Sequence, residues 1–301
     1  MTTQPSSAAS SFYAHLDHLC VIRASGADAE SFLHGQLTND LKALSPGLMQ
    51  LHGYCSPKGR LLGLMHITLD NDDFLLILPE AISESLLKRL RMFVMRAKVA
   101  LEIDSQVQVI GVSDVDHYPS NAPRPLLALN FDNAALVLVP EDQLHDAENA
   151  LQQAYDKTDA ISWAASRLLA GEPQIHPASV DKFIPQMLNL DRLGGLSFSK
   201  GCYPGQEIVA RTRYLGKVKR RMHLFQTAAG VDADPGTSLY VDGKEQAVGE
   251  LVEILPAGDK ACVASAVIRL EYSDQKMHLG SSDGPVLQPI PLPYALDEAE
   301  S

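Results

Sequence analysis

The feature that most constrains this chain is a change in hydrophobic rhythm near Met222. Before it, apolar β-type runs alternate with stretches of helical spacing; after it, short apolar runs follow one another with turn residues between them. His15 to Ala24 reads as a strand and Asp28 to Leu37 as a helix with Phe32, Leu33 and Leu37 on one face. Leu61 to Leu69 and Phe74 to Leu78 flank Asp70-Asn71-Asp72-Asp73, a hairpin signal, and Val107 to Val112 is a further strand. Ser83 to Val94 is predicted as an amphipathic helix burying Leu86, Leu87, Leu90, Phe93 and Val94.

A second pass begins after the proline-rich stretch Tyr118 to Pro125. Leu126 to Asn130 and Ala134 to Val139 form a predicted hairpin around Phe131-Asp132-Asn133, followed by helices at Glu141 to Tyr155 and Asp159 to Leu169. Beyond Met222, strands are expected at Ser238 to Val241, Ala247 to Ile254, Ala261 to Leu270 and Lys276 to Leu279, the pattern of a small barrel or sandwich. The expected class is α+β, with ferredoxin-like modules ahead of a small C-terminal β-barrel. The expected division is a tail over 1–11, an α+β region over 12–221 in two interleaved halves (about 12–117 and 118–221), the barrel over 222–294 and an acidic tail over 295–301.

With 301 residues, 46% of them hydrophobic and 21% charged, the chain has material for two or three modules with real cores. No apolar run is long enough to span a membrane. Met1 to Ser11 has no basic n-region or apolar h-region, so the cytoplasm is the expected compartment. A formal charge of −12 disfavours indiscriminate nucleic-acid binding. Two acid-free runs stand against that total, Lys88 to Lys98 and Arg211 to Arg221. Such runs are usually solvated faces; the second could also hold an anionic ligand.

The stretch Lys200-Gly201-Cys202-Tyr203-Pro204-Gly205-Gln206-Glu207 carries the strongest chemical signal. Pro204-Gly205 is read as a helix opening, with Pro204 at the first helical position, which places Cys202 just before a helix N-terminus where a thiolate is favoured. Lys200 is expected to push the same way. Cys20 and Cys262 sit in apolar runs and read as buried packing residues; Cys55 ends a strand at a turn. The cysteines are too dispersed for a disulfide framework, and the ten histidines form no metal-binding spacing.

Phe183-Ile184-Pro185-Gln186, Leu193-Gly194-Gly195-Leu196 and the cysteine octapeptide, with Gly35-Gln36-Leu37-Thr38-Asn39-Asp40 and Pro291-Leu292-Pro293-Tyr294 near the ends, resemble the YgfZ-type folate-binding proteins, relatives of the glycine-cleavage T-protein. The resemblance implies a T-protein-like fold, tetrahydrofolate as cofactor, and a role in iron–sulfur cluster maintenance with an indirect link to tRNA modification. It implies iron–sulfur proteins or their assembly machinery as partners, Cys202 as the functional thiol and Trp163, the only tryptophan, as a folate contact. Leu19 falls where the family carries a second folate-contacting tryptophan. Glu207 reads first as a helix-stabilising acid that can pair with Arg211 four residues on, and second as a ligand contact. T-proteins carry an aspartate where Gly63 falls here, which disfavours, without removing, a one-carbon or aminomethyl transferase. The third reading is a tRNA- or protein-binding adaptor using the basic runs.

Overall fold

The computed structural model describes residues 11–124, 126–128, 133–214, 216 and 218–296. Most of the 1–11 tail, the Phe131-Asp132 turn and most of the acidic tail lie outside the described residues. β1 (Phe12–His15), β2 (Leu19–Ser25), α1 (Ala29–Gln36), β3 (Leu48–Cys55), β4 (Leu61–Asp70), β5 (Asp73–Pro79), α2 (Glu80–Val94), β6 (Ala100–Ile103) and β7 (Val107–Val112) come first. β8 (Leu126–Ala128), β9 (Ala135–Pro140), α3 (Leu144–Leu151), β10 (Asp156–Lys157), α4 (Ala160–Leu169) and α5 (Gln206–Tyr214) follow.

All ten of these strands join one sheet in the order β10-β1-β7-β9-β8-β3-β4-β5-β2-β6, so β1 and β7, from the beginning of the chain, lie between the later β10 and β9. The single strand expected over His15 to Ala24 is split. Leu19 N–H donates to Leu16 O and closes a turn, after which β1 pairs with β7 while β2 pairs with β5 and β6. The predicted hairpin between β4 and β5 is present, with Asn71 taking the left-handed conformation (φ 53°) that asparagine tolerates.

α2 buries Leu86, Leu87 and Leu90 against the sheet, as its spacing requires. Phe93, expected inside, is 43% exposed, and its neighbours Met92 and Met95 are more open still. The last turn of α2 still packs through Leu90 and Val94, and Phe93 falls on the side of the helix that this contact leaves open. The helix expected over Glu141 to Tyr155 contracts to α3, preceded by a 3₁₀ turn at Glu141–Gln143. α4 starts where Asp159 caps it, the carboxylate accepting from Ser162 N–H at 2.7 Å.

Six further strands close a barrel in the order β11-β14-β13-β12-β15-β16: β11 (Arg220–Ala228), β12 (Ser238–Tyr240), β13 (Gly249–Pro256), β14 (Ala261–Arg269), β15 (Met277–Leu279) and β16 (Val286–Ile290). β11 and β16 were not recognised in the sequence, yet their pairing is what closes the barrel and removes its open edges. Between α4 and α5 runs a long irregular segment holding only 3₁₀ turns at Pro177–Ser179 and Pro185–Leu188. This segment and α4 join sheet to barrel. Ala165 and Leu168 pack with Leu224 and Val263, and Arg221 of β11 makes a bidentate pair with Asp191 at 2.8 and 2.9 Å while also donating to Gln186 O.

Candidate functional site

The cysteine octapeptide is held by a close contact between two turns. Gly205 takes φ +79°, and a Cβ there would lie 2.5 Å from both Ser56 O and Gly59 Cα. Gly59 takes φ +69°, and a Cβ there would lie 2.9 Å from Ile208 Cβ and 3.1 Å from Gly205 O. Only glycine satisfies both the backbone angle and the approach at these positions. Consequently Pro204 is not the first helical residue; Pro204-Gly205 is the turn before α5, which begins at Gln206. Gln186 Nε2 donates to Val209 O at 2.7 Å, and Val209 is the residue α5 buries.

Cys202 is solvent-exposed. It shares a depression of about 630 Å³ with Tyr54, Cys55, Arg89, Phe93, Tyr203, Gly205, Gln206, Glu207 and Ile208. Cys55 is buried, and burial together with Asp181 pushes its thiol up to about 12. Lys200 does not turn its charge to the thiol. Its ammonium is buried and donates to Leu37 O at 2.6 Å and to His34 O, tying the octapeptide to the C-terminal carbonyls of α1. Burial pushes Lys200 down to about 8, opposed by Asp40.

A second cavity, of about 510 Å³, lies where α4, β3, β4, β5, β9 and β13 converge. Trp163 and Leu19 both line it, so the structure unites these two predicted folate contacts. Trp163 is 4% exposed; its indole lies on the Gly111 backbone of β7, where a Cβ would come within 2.5 Å, and the Arg167 guanidinium sits 5.2 Å from its ring centre. Phe12 meets the indole edge-on at 6.5 Å. The walls are largely apolar, from Met49, Leu51, Leu64, Ile77 and Leu136. Glu207 lines the cysteine depression instead, and Arg211 is exposed on α5; neither lines the tryptophan cavity.

The polar groups of that cavity were missed by sequence reasoning. Glu172 Oε1 lies 3.0 Å from His66 Nε2, and Glu172 Oε2 lies 3.8 Å from Arg167. Burial pushes the Glu172 carboxyl up, but His66 and Arg167 outweigh it and hold the group below the ordinary carboxylate range. Across the cavity His176 Nε2 meets Glu253 Oε1 at 2.9 Å, so the barrel contributes to the wall. No spacing rule joins residues 66, 172, 176 and 253; only the fold does. Gly63 also needs correction. A Cβ there would meet Leu86 and Ile82 of α2, on the other face of β4 from the cavity-lining Leu64 and His66. The acids that reach the cavity are Asp17, Glu172 and Glu253, none of them on β4. Among the described residues no group of three His, Cys, Asp or Glu side chains is placed to hold a metal ion, and no helix is long and apolar enough to cross a membrane.

No family model matches the chain. It is 27% identical to tRNA-modifying protein YgfZ of Escherichia coli O7:K1, covering 94% of this chain and 93% of that protein. The match to the protein of the same name from Shigella boydii serotype 4 is of equal identity and extent. The chain is a homologue of the YgfZ proteins. The glycine cleavage system aminomethyltransferase T from Bartonella henselae superposes with a TM-score of 0.73 over 96% of this chain and 87% of that one, at 14% identity. That superposition establishes a T-protein-like fold, α+β with a closed C-terminal barrel, for this YgfZ homologue.

Proposed function

We propose that this YgfZ homologue binds tetrahydrofolate in the Trp163 cavity and works, through Cys202, in iron–sulfur cluster assembly or repair in the cytoplasm, thereby supporting tRNA modification. The observation that carries the reading is the meeting of Trp163 and Leu19 on one largely apolar cavity of about 510 Å³, within the size range of small-ligand sites. The cavity suits a pterin chemically. Apolar walls accept the flat ring, and the ionised Glu172 offers an acceptor for the ring's N–H edge. The folate-binding region proposed over 12–221 is completed by Glu253 and Leu255 of the barrel proposed over 222–294.

A bound reduced folate supplies a carrier for one-carbon units. The chain's own residues then have separable tasks. Trp163, held by Gly111 and Phe12, gives a rigid apolar edge; His66 and Arg167 keep Glu172 ionised and oriented; Cys202 stands at a separate, open depression where a macromolecule can reach it. The transferase reading keeps one support, the three cavity carboxylates.

Calorimetric titration with tetrahydrofolate should show one site, weakened by Trp163→Ala and by Glu172→Gln. Wild type should restore iron–sulfur enzyme activity and tRNA thiolation in a deletion strain, and Cys202→Ser should not. Unchanged affinity in both cavity variants would remove the folate assignment; full rescue by Cys202→Ser would remove the thiol's role.

A further inference from the structure

The depression that holds Cys202 has walls unlike the rest of this acidic chain. On one side Arg89 and Phe93 line it from α2, with the exposed Met92 beside Phe93 and the exposed Arg96 just past the end of the helix. Met92 is 69% exposed and Phe93 43%, and the Arg89 guanidinium stands 5.9 Å from the Phe93 ring. Arg89 Nε is buried without a hydrogen-bond partner. On the other side Ile208, 40% exposed, is followed one helical turn later by the exposed Arg211. Lys58, also exposed, sits in the turn that packs on Gly205. Glu207 is the one acid among the lining residues.

We propose that this groove between α2 and α5 is a docking surface for an acidic, apolar segment of a partner protein, which it lays across Cys202. Charge complementarity selects the acid, since cations flank the groove on both walls while the chain as a whole carries −12. The apolar side chains select a protein segment over a nucleic acid. Met92, Phe93 and Ile208 interleave with the arginines, and large apolar groups left open beside arginine are the composition of a protein–protein contact. A phosphate backbone would engage the cations and leave these side chains in water. The proposal is independent of the folate reading, because Phe93 and Arg89 do not line the Trp163 cavity.

The test uses the full chain with three probes: a fluorescent twelve-residue peptide of alternating Glu/Asp and Leu/Phe, its Gln/Asn counterpart, and an unmodified tRNA transcript. The acidic peptide should bind and slow iodoacetamide labelling of Cys202 about tenfold or more. Phe93→Asp and Arg89→Glu should each abolish this protection while leaving tetrahydrofolate binding unchanged. Met92→Asp, at a more exposed position, gives the same readout should Phe93→Asp fold poorly. Equal binding of the neutral peptide, or protection that survives Phe93→Asp and Met92→Asp, overturns the proposal. Protection by tRNA that falls steeply with salt and ignores both apolar variants overturns it in favour of a nucleic-acid surface.

Discussion

At the scale of single residues, accessibility and burial separate the four thiols. Cys202 is open to solvent, whereas burial holds Cys55 at about 12 and also raises Cys20. At pH 7 a thiol with that pKa is ionised in about one molecule in 10⁵. Timed alkylation followed by mass spectrometry should therefore label Cys202 first and leave Cys55 unmodified until the chain unfolds; early labelling of Cys55 would contradict the packing described. The indole is confined just as tightly. Gly111→Ala drives a methyl into the Trp163 ring, so it should cost about 1–3 kcal/mol in urea denaturation and change the tryptophan emission. Unaltered emission would mean that the ring has room to move.

The elements bring a different kind of constraint, because the octapeptide works as a turn clamped between neighbours. Gly205→Ala places a Cβ 2.5 Å from backbone atoms of the Ser56–Gly59 turn and strains a φ of +79°. It should cost about 1–3 kcal/mol or more and raise hydrogen exchange across α5, whose only buried residue is Val209. Lys200 ties the same segment to α1 and gives a pH signature. Its folded pKa, about 8, lies below the ordinary lysine value of 10.5, so unfolding takes up a proton between those limits. Stability should rise with pH across that window relative to Lys200→Met, in which the linkage is absent. Denaturation at pH 7.5, 9 and 10 decides it; parallel profiles would show that the ammonium is not buried in solution.

For the whole molecule, the question is what joins barrel to sheet. Arg221 is 5% exposed and binds Asp191, Gln186 O and Asn189, so the last cation of an apparently basic run is a buried tie and not a surface charge. Arg221→Met removes the bidentate partner of Asp191 and leaves it only Arg192 at 3.5 Å, so it should cost about 3 kcal/mol, splitting one thermal transition into two if the barrel then melts separately. A single unshifted transition would assign the junction to apolar packing alone. Glu172 works at the same junction from the cavity side. Its folded pKa lies below 4.5, so its contribution is present above that pH and is lost as the pH falls through the lowered value; Glu172→Gln should flatten the acid limb of the stability profile.

Much of this was legible along the chain because it depends on neighbours in sequence. Apolar runs marked β4, β5, β7, β13 and β14, helical spacing marked α1 and α2, and the change of rhythm near Met222 marked the barrel. The helix that follows the octapeptide was readable for the same reason, since its glycine turn and helix are contiguous. What the tertiary structure alone decided involves residues far apart. The closing strands β11 and β16 pair across more than sixty residues. His66 meets Glu172 and His176 meets Glu253 because the irregular segment after α4 runs between sheet and barrel. The burial of Lys200 and Arg221, the exposure of Phe93 and the facing of Gly63 toward α2 follow from which surface each meets. Local pattern fixes which face of an element is apolar, while the charge state and accessibility of a side chain depend on what the rest of the chain lays against it.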